Sequence, residues 1–262
     1  MTRNSSEELF NFTPVTCTQV EHIVSSMPSN KSPGPDKVSM RIIKDCLPVI
    51  LGALTDIINC SFATSTFPNS WKAPEVIPLL RDGDHEEPSN NRPLLMLAVA
   101  SKICDKVALQ QFSNYLQRNG LLSKHQSGNR KYHSTETLNI MISDFLLDAM
   151  DNERLSALII LDLSKAFDSI SHSILLQKLS LVAADKTTKW FESYMTDRTQ
   201  VVRIGTSTST PLPITHGVQQ GAILSPLLFC IYISDLPLAP QVCNLESYVD
   251  DSKIFLSRNN SR

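Results

Sequence analysis

Apolar residues in this chain recur at two spacings, and the switches between them mark out the elements. Val20, Ile23 and Val24 share one face at helical spacing, so residues 14–27 read as a short helix capped by Thr16 or Thr18. A longer amphipathic helix follows over roughly residues 38–64, carrying Ile42, Ile43, Leu47, Ile50, Leu54, Ile57, Ile58 and Phe62, with Pro48 placed to kink or divide it. Residues 71–80 read as a short edge strand, because Pro74 and Pro78 cannot donate to a central ladder. A polar loop over 81–91 leads into Arg92-Pro93 and an apolar helix through about residue 118. After a basic loop at 124–133, residues 135–150 form another amphipathic helix. The unbroken apolar run 157–161 reads as a strand buried on both faces. Helices at about 171–182 and 185–196 come next, then β-prone segments at 199–204 and 211–215 and an apolar helix at 224–235. The last pattern, residues 245–256, has an apolar-aromatic approach and a β-prone exit around Asp250-Asp251, and reads as a tight hairpin.

Composition narrows the class. At 262 residues the chain makes one large domain or two small ones, and 42% hydrophobic residues suffice for a core. A formal charge of −2 gives no global basic field, although a local basic groove remains compatible with it. The six cysteines are scattered without a C-x-x-C pair, so they read as reduced thiols rather than a zinc site or disulfide frame. The first eight residues are polar, which predicts no signal peptide, and no apolar run reaches membrane-spanning length.

Carboxylates at strand ends carry the candidate chemistry. On a straight strand Asp250 and Asp251 would point to opposite faces, whereas a hairpin tip swings both to one end of the ladder. Such a pair repels itself unless protonation, water or a divalent cation relieves it. Asp162 stands at the end of the 157–161 strand, a position that fixes a side chain yet leaves it open. Two strands delivering carboxylates this way suit two magnesium ions about 3.5–4 Å apart. In a chain with only eight glycines, Gly217 and Gly221 lie four residues apart before the apolar helix, where a backbone can pass close to a ligand.

An ordered set of short motifs adds a family. Lys31-Ser32-Pro33-Gly34-Pro35-Asp36, Trp71-Lys72, Val76-Ile77-Pro78, Asn91-Arg92-Pro93, Ser101-Lys102, Leu161-Asp162-Leu163-Ser164-Lys165-Ala166-Phe167-Asp168, Gly217-Val218-Gln219-Gln220-Gly221 and Tyr248-Val249-Asp250-Asp251 appear in that order. Together they resemble the reverse transcriptases of non-long-terminal-repeat (LINE-type) retrotransposons. The resemblance implies an α+β fold: the fingers and palm of a right-hand polymerase, with a ferredoxin-like palm sheet backed by helices. It divides the chain into a polar N-terminal extension (1–13), a helical region with fingers (14–150) and a palm (151–262). It further implies that Asp162, Asp250 and Asp251 are catalytic and hold two Mg²⁺ ions, with Mn²⁺ as a substitute. Phe167 takes the steric-gate position against a ribose 2′-hydroxyl, and Gln220 lines the nucleotide pocket. Arg92 reaches the triphosphate, and Arg81 falls where a family lysine does the same. Asp168, in the same motif, reads as structural. The implied partners are an RNA template, a DNA primer and deoxynucleoside triphosphates, with no membrane.

Departures from the family pattern qualify these expectations. Gln219 replaces the usual Pro, Lys37 a Gly and Val249 an Ala, and Gln126-Ser127-Gly128-Asn129-Arg130 lacks two aromatic contacts. Asp82 puts a negative charge where the fingers loop has a lysine. The sequence stops at Arg262, so thumb and primer grip are expected to be absent. The rival reading is accordingly a non-catalytic remnant or nucleic-acid-binding module; an unrelated metal-dependent hydrolase is a more distant third. A template-primer channel predicts a basic cleft drawn from Lys31, Arg81, Arg92, Lys124, Arg130 and Lys131.

Overall fold

The computed structural model describes residues 8–128, 132–163 and 165–259. Helix α1 (Cys17–Ser26) starts at Thr16, whose hydroxyl accepts from the Gln19 N–H while the Gln19 side chain returns the bond to the Thr16 N–H. Helix α2 (Met40–Thr64) runs undivided through Pro48. The proline lies on the exposed face, where water can take up the freed carbonyl. By length and composition α2 is apolar enough to cross a membrane, contrary to the sequence expectation, which counted only uninterrupted apolar residues. Its buried face (Met40, Ile43, Leu47, Leu54, Ile58 and Phe62) belongs to the protein core.

Strands β1 (Glu75–Leu80) and β2 (Asn91–Met96) form an antiparallel hairpin with Pro78 opposite Pro93. Sequence reading missed β2, because Leu94, Leu95 and Met96 continue into helix α3 (Val99–Arg118) as one apolar run. It also put β1 at a sheet edge, and that is corrected here. A mixed sheet of order β2-β1-β4-β5 places β1 between β2 and β4 (Arg198–Ile204), with β5 (Ser207–Thr208) and β6 (Leu212–Ile214) both on β4. The proline is tolerated because β4 pairs in parallel only with Glu75 and Val76, so Pro78 sits beyond the overlap.

Helix α4 (Thr135–Asp151) precedes β3 (Arg154–Leu161), the outer strand of a three-stranded antiparallel sheet of order β3-β8-β7. In that sheet β7 spans Asn244–Tyr248 and β8 spans Asp251–Asn259. Strand β3 was expected to be buried on both faces and is not: Ile159 is 52% exposed and Ile160 67%. The small cluster of Leu138, Ile142 and Phe255, with Phe145 and Tyr248 against it, shows why. The buried side chains of α4 pack on Phe255 of β8, and no residue of β3 belongs to that cluster.

The remaining helices, α5 (His172–Ser180), α6 (Asp185–Met195) and α7 (Ser225–Tyr232), fall close to their expected positions. They share one large core with α1, α2 and α3, in which Phe62, Phe67, Trp190, Phe191 and Tyr194 interlock. Phe10 and Phe12 of the N-terminal segment join it, and the Phe10 backbone exchanges hydrogen bonds with Val182 and Ala184. The buried Trp190 satisfies its indole N–H by donating to Ser61 Oγ at 2.9 Å. The six cysteines are free thiols, with Cys104 and Cys230 buried.

Candidate active site

The hairpin expected around Asp250-Asp251 is present: Tyr248 pairs with Asp251 across a two-residue turn of Val249 and Asp250. Val249 has φ +56°, a value that costs a β-branched side chain and that tight hairpins normally assign to glycine. The strain is held by Gln126, a buried residue that sequence reasoning met only as part of a departing motif. Gln126 Oε1 accepts from the N–H groups of both Val249 and Gly128, each at 2.8 Å, and its Nε2 donates to the Val249 carbonyl at 3.1 Å. Main-chain bonds from Ser127 N–H to Ser247 O and from Ser247 N–H to His125 O add a short parallel pairing to β7. Gly128 is required for this approach, since a Cβ there would lie 2.7 Å from Val249 Cγ2. Beneath the turn the buried hydroxyls of Ser247 and Ser252 share a hydrogen bond of 2.9 Å.

Asp162 reaches the same end of the sheet through the β3–β8 ladder. Leu161 pairs with Ser252 in the last pair of that ladder, so Asp162 follows the end of β3 next to the start of β8 at Asp251. Asp162 and Asp251 are exposed and Asp250 half-buried. None of the three carboxylates forms an ion pair or side-chain hydrogen bond among the described residues. Free, hard oxygen donors at one sheet end match the chemistry that binds divalent cations. Their side chains are not gathered, however: among the described residues no three His, Cys, Asp or Glu side chains stand close enough to hold a metal ion.

Phe167, on the loop after Asp162, stacks its ring on Phe229 with centroids 5.1 Å apart. Its carbonyl accepts from the Val218 N–H at 2.8 Å, which ties the loop to the 217–221 segment. Gly217 has φ +83°, and a Cβ on it would lie 2.8 Å from the Phe167 carbonyl oxygen. The glycine therefore serves close backbone contact within the protein, where the sequence suggested contact with a ligand. Gln220 Nε2 donates to Asp168 Oδ2 at 3.0 Å, so Asp168 orients the glutamine.

Arg81 and Arg92 are exposed on the β1–β2 hairpin, where the Arg81 N–H donates to the Asn90 carbonyl at 2.8 Å. That hairpin meets the 217–220 segment at a cavity of about 140 Å³, which Pro93 and Leu95 line together with Asp168, Gln219 and Gln220. Asp82 turns its carboxylate onto the Gly83 N–H at 2.8 Å. Of the expected cleft cations, Lys31 and Lys124 are exposed, while Arg130 and Lys131 lie outside the described residues. Gly34 seats the Lys31 loop on the start of α3, where a Cβ would come within 2.5 Å of the Ala98 nitrogen. Lys102 on α3 has its pKa lowered, first by burial and least by Lys31, against the opposing pull of Asp105 and Asp36.

These elements make a mixed α/β protein with three aspartates at the turn end of a hairpin-bearing sheet. Residues 81–262, more than two thirds of the chain, match the family described as reverse transcriptase (RNA-dependent DNA polymerase), and the chain belongs to that family. It is 29% identical over 94% of its length to the probable RNA-directed DNA polymerase from transposon BS of Drosophila melanogaster, covering 28% of that protein. To the RNA-directed DNA polymerase from mobile element jockey of the same species it is 27% identical, over 92% of this chain and 27% of the relative. To the retrovirus-related Pol polyprotein from type-1 retrotransposable element R2 of Popillia japonica it is 26% identical, over 69% of this chain and 24% of the relative. The chain thus spans about a quarter of the length of the curated relatives it matches. The resemblance drawn from ordered motifs and these relatives agree on non-long-terminal-repeat retrotransposons.

Proposed function

We propose that the chain is the fingers and palm of a right-hand polymerase that adds deoxynucleoside monophosphates to a DNA 3′-hydroxyl, copying an RNA template. The observation that supports this reading is the β3–β8 ladder, whose last pair, Leu161 with Ser252, ends next to Asp162 on one strand and Asp251 on the other, beside the Asp250 turn. Asp162, Asp250 and Asp251 would hold two Mg²⁺ ions, and Mn²⁺ would substitute. Bound there, divalent ions lower the pKa of the attacking hydroxyl and neutralise phosphate charge. The family membership supports this donor set, as do three carboxylates that make no ion pair among the described residues.

The chain's residues supply positioning, which is most of the catalysis in phosphoryl transfer. Phe167, backed by Phe229, presents a fixed ring to the sugar and excludes a 2′-hydroxyl. Gln220, held by Asp168, orients the bound nucleotide, and Arg92 and Arg81 take the triphosphate through charge-assisted bonds. Residues 14–150 act as helical region and fingers and 151–262 as palm, although strands from both sides of residue 150 join the first sheet. The partners are an RNA template, a DNA primer and deoxynucleoside triphosphates.

Primer extension on poly-rA with oligo-dT, in Mg²⁺ and then in Mn²⁺, tests the reading on this chain and on the chain joined to a family thumb. Incorporation should fall on the order of 10³-fold in Asp250→Asn, since a metal ligand supplies several kcal/mol of transition-state stabilisation. Incorporation unchanged by Asp250→Asn would overturn the proposal. Binding of the template-primer without extension in either form would support the non-catalytic module.

A further inference from the structure

Asp105 is a buried ionisable group that the proposed polymerase chemistry leaves without a task. It lies on α3 at 0% exposure, between the buried apolar residues Ile103 and Val107. A carboxyl group in such surroundings costs free energy unless its oxygens are engaged. One oxygen accepts from the Ile223 N–H at 3.2 Å and from the Tyr194 hydroxyl at 3.4 Å. The tyrosine orients the carboxyl group, since its own ring is fixed by stacking on Trp190 with centroids 5.5 Å apart. The bond to Ile223 does something else. It reaches across 118 residues, from α3 to the main chain between Gly217 and α7.

That stretch is organised around one turn. The Gln219 carbonyl accepts from the Ala222 N–H at 3.1 Å, which puts Gln220 and Gly221 at the two central positions. Gly221 has φ +96°, the sign that a type II turn requires at its third residue. On the upstream side the Val218 N–H donates to the Phe167 carbonyl at 2.8 Å, and on the downstream side the Ile223 N–H donates to Asp105. The turn that carries Gln220 is thus pinned at both ends by polar bonds, one to the Phe167 loop and one to α3. Val218, Ala222 and Leu224 are buried on the same stretch, but apolar contact sets depth more than direction. A hydrogen bond from the main chain to a fixed carboxyl group sets direction as well.

We infer that Asp105 is a positioning residue for Gln220, acting through the Ile223 N–H and the turn between them. Its use in nucleotide binding rests on the reading of Gln220 as the nucleotide-orienting side chain, so the first test omits nucleotide and metal. In EDTA, Asp105→Leu should accelerate amide exchange at Ala222 and Ile223 on the order of tenfold or more, with exchange in α2 and α4 unchanged. Asp105→Asn keeps an oxygen at Ile223 and should stay within about threefold of the unaltered chain. Acceleration spread equally over α2 and α4, or none at Ile223, would overturn the assignment. Should Asp105→Leu not fold, the unaltered chain carries this test by NMR. Burial raises the Asp105 carboxyl group to about 7 against the pull of Arg198, Ile223, Tyr194 and Lys102, while the adjacent Cys104 thiol is pushed well up by burial and stays neutral there. The Ile223 amide proton should shift in step with that titration, and a shift indifferent to it would overturn the assignment equally. The second test is dTTP binding with Mg²⁺, where Asp105→Leu should weaken affinity about tenfold in the unaltered background and hardly at all beside Gln220→Ala. Equal losses in both backgrounds would mean that Asp105 acts on the fold at large and not through Gln220. If the unaltered chain does not bind dTTP, the polymerase reading fails, and exchange at Ile223 still decides whether Asp105 holds the turn.

Discussion

The helical body and the aspartate-bearing sheet are held together by opposite means. In the body, Trp190, Phe191, Phe67 and Phe112 are fully buried and pack ring against ring. In the sheet, the outer strand exposes Leu155, Ile159 and Ile160, and only three residues of the cluster under α4 are buried. Order at the Val249–Asp250 turn comes instead from polar contacts, chiefly the three hydrogen bonds of Gln126. Hydrophobic burial is strong but non-directional, whereas a buried amide with every bond made fixes a backbone in one geometry. The helical body is held by apolar burial, and the turn by the directed bonds of one buried amide.

The sharpest way to break this contrast is Trp190→Ala. It should lower the unfolding free energy by about 3–5 kcal/mol, measured by urea titration, because it empties a closed ring cluster and removes the N–H that Ser61 Oγ accepts. A cost below about 1 kcal/mol would mean that the body is less tightly packed than its burial indicates.

The body should also carry a pH dependence. Burial raises Asp105 from 3.8 to about 7, against the opposing pull of Arg198 and of the bonds from Ile223 and Tyr194. An unfolded chain therefore loses this proton near pH 4 and the folded one only near pH 7. The stability associated with the neutral acid is complete below pH 4 and declines as the pH rises through 7. The decline is at most about 4 kcal/mol at roughly 1.4 kcal/mol per unit of pKa difference. Asp105→Asn, melted across this range, should flatten the profile; an unchanged slope would locate the titration elsewhere.

In the sheet the expected order of effects reverses from apolar to polar. Gln126→Leu keeps the volume but leaves the N–H groups of Val249 and Gly128 and the Val249 carbonyl without a partner, at a cost of about 2–3 kcal/mol. Amide hydrogen exchange at Val249 should accelerate more than exchange in α3. Ile160→Ser, on the bare outer strand, should change stability by no more than about 0.5 kcal/mol. A larger loss there would show that β3 is covered in solution.

Much of this was legible in the residues alone. The helices, the β7–β8 hairpin with its aspartates at the tip and Asp162 at a strand end follow from spacing, because period and turn chemistry act over a few residues. Thr16 as a cap and the proline-rich 30–36 loop belong to the same local level. Family membership followed from the order of motifs too weak to count singly.

Tertiary structure decided the rest, and the reason is consistent. An apolar run states that a segment can be buried, while neighbours determine whether it is. The 157–161 run became an outer strand because β8 pairs with it on one side and no other described strand pairs on the other. Pro78 entered an interior strand because its parallel partner stops at Val76. Gln126 meets Val249, and the Arg198 guanidinium meets the Phe67 ring, each across more than a hundred residues. Side-chain amides and guanidinium groups have no period to betray their partners, so their roles emerged only when the fold brought distant backbone together.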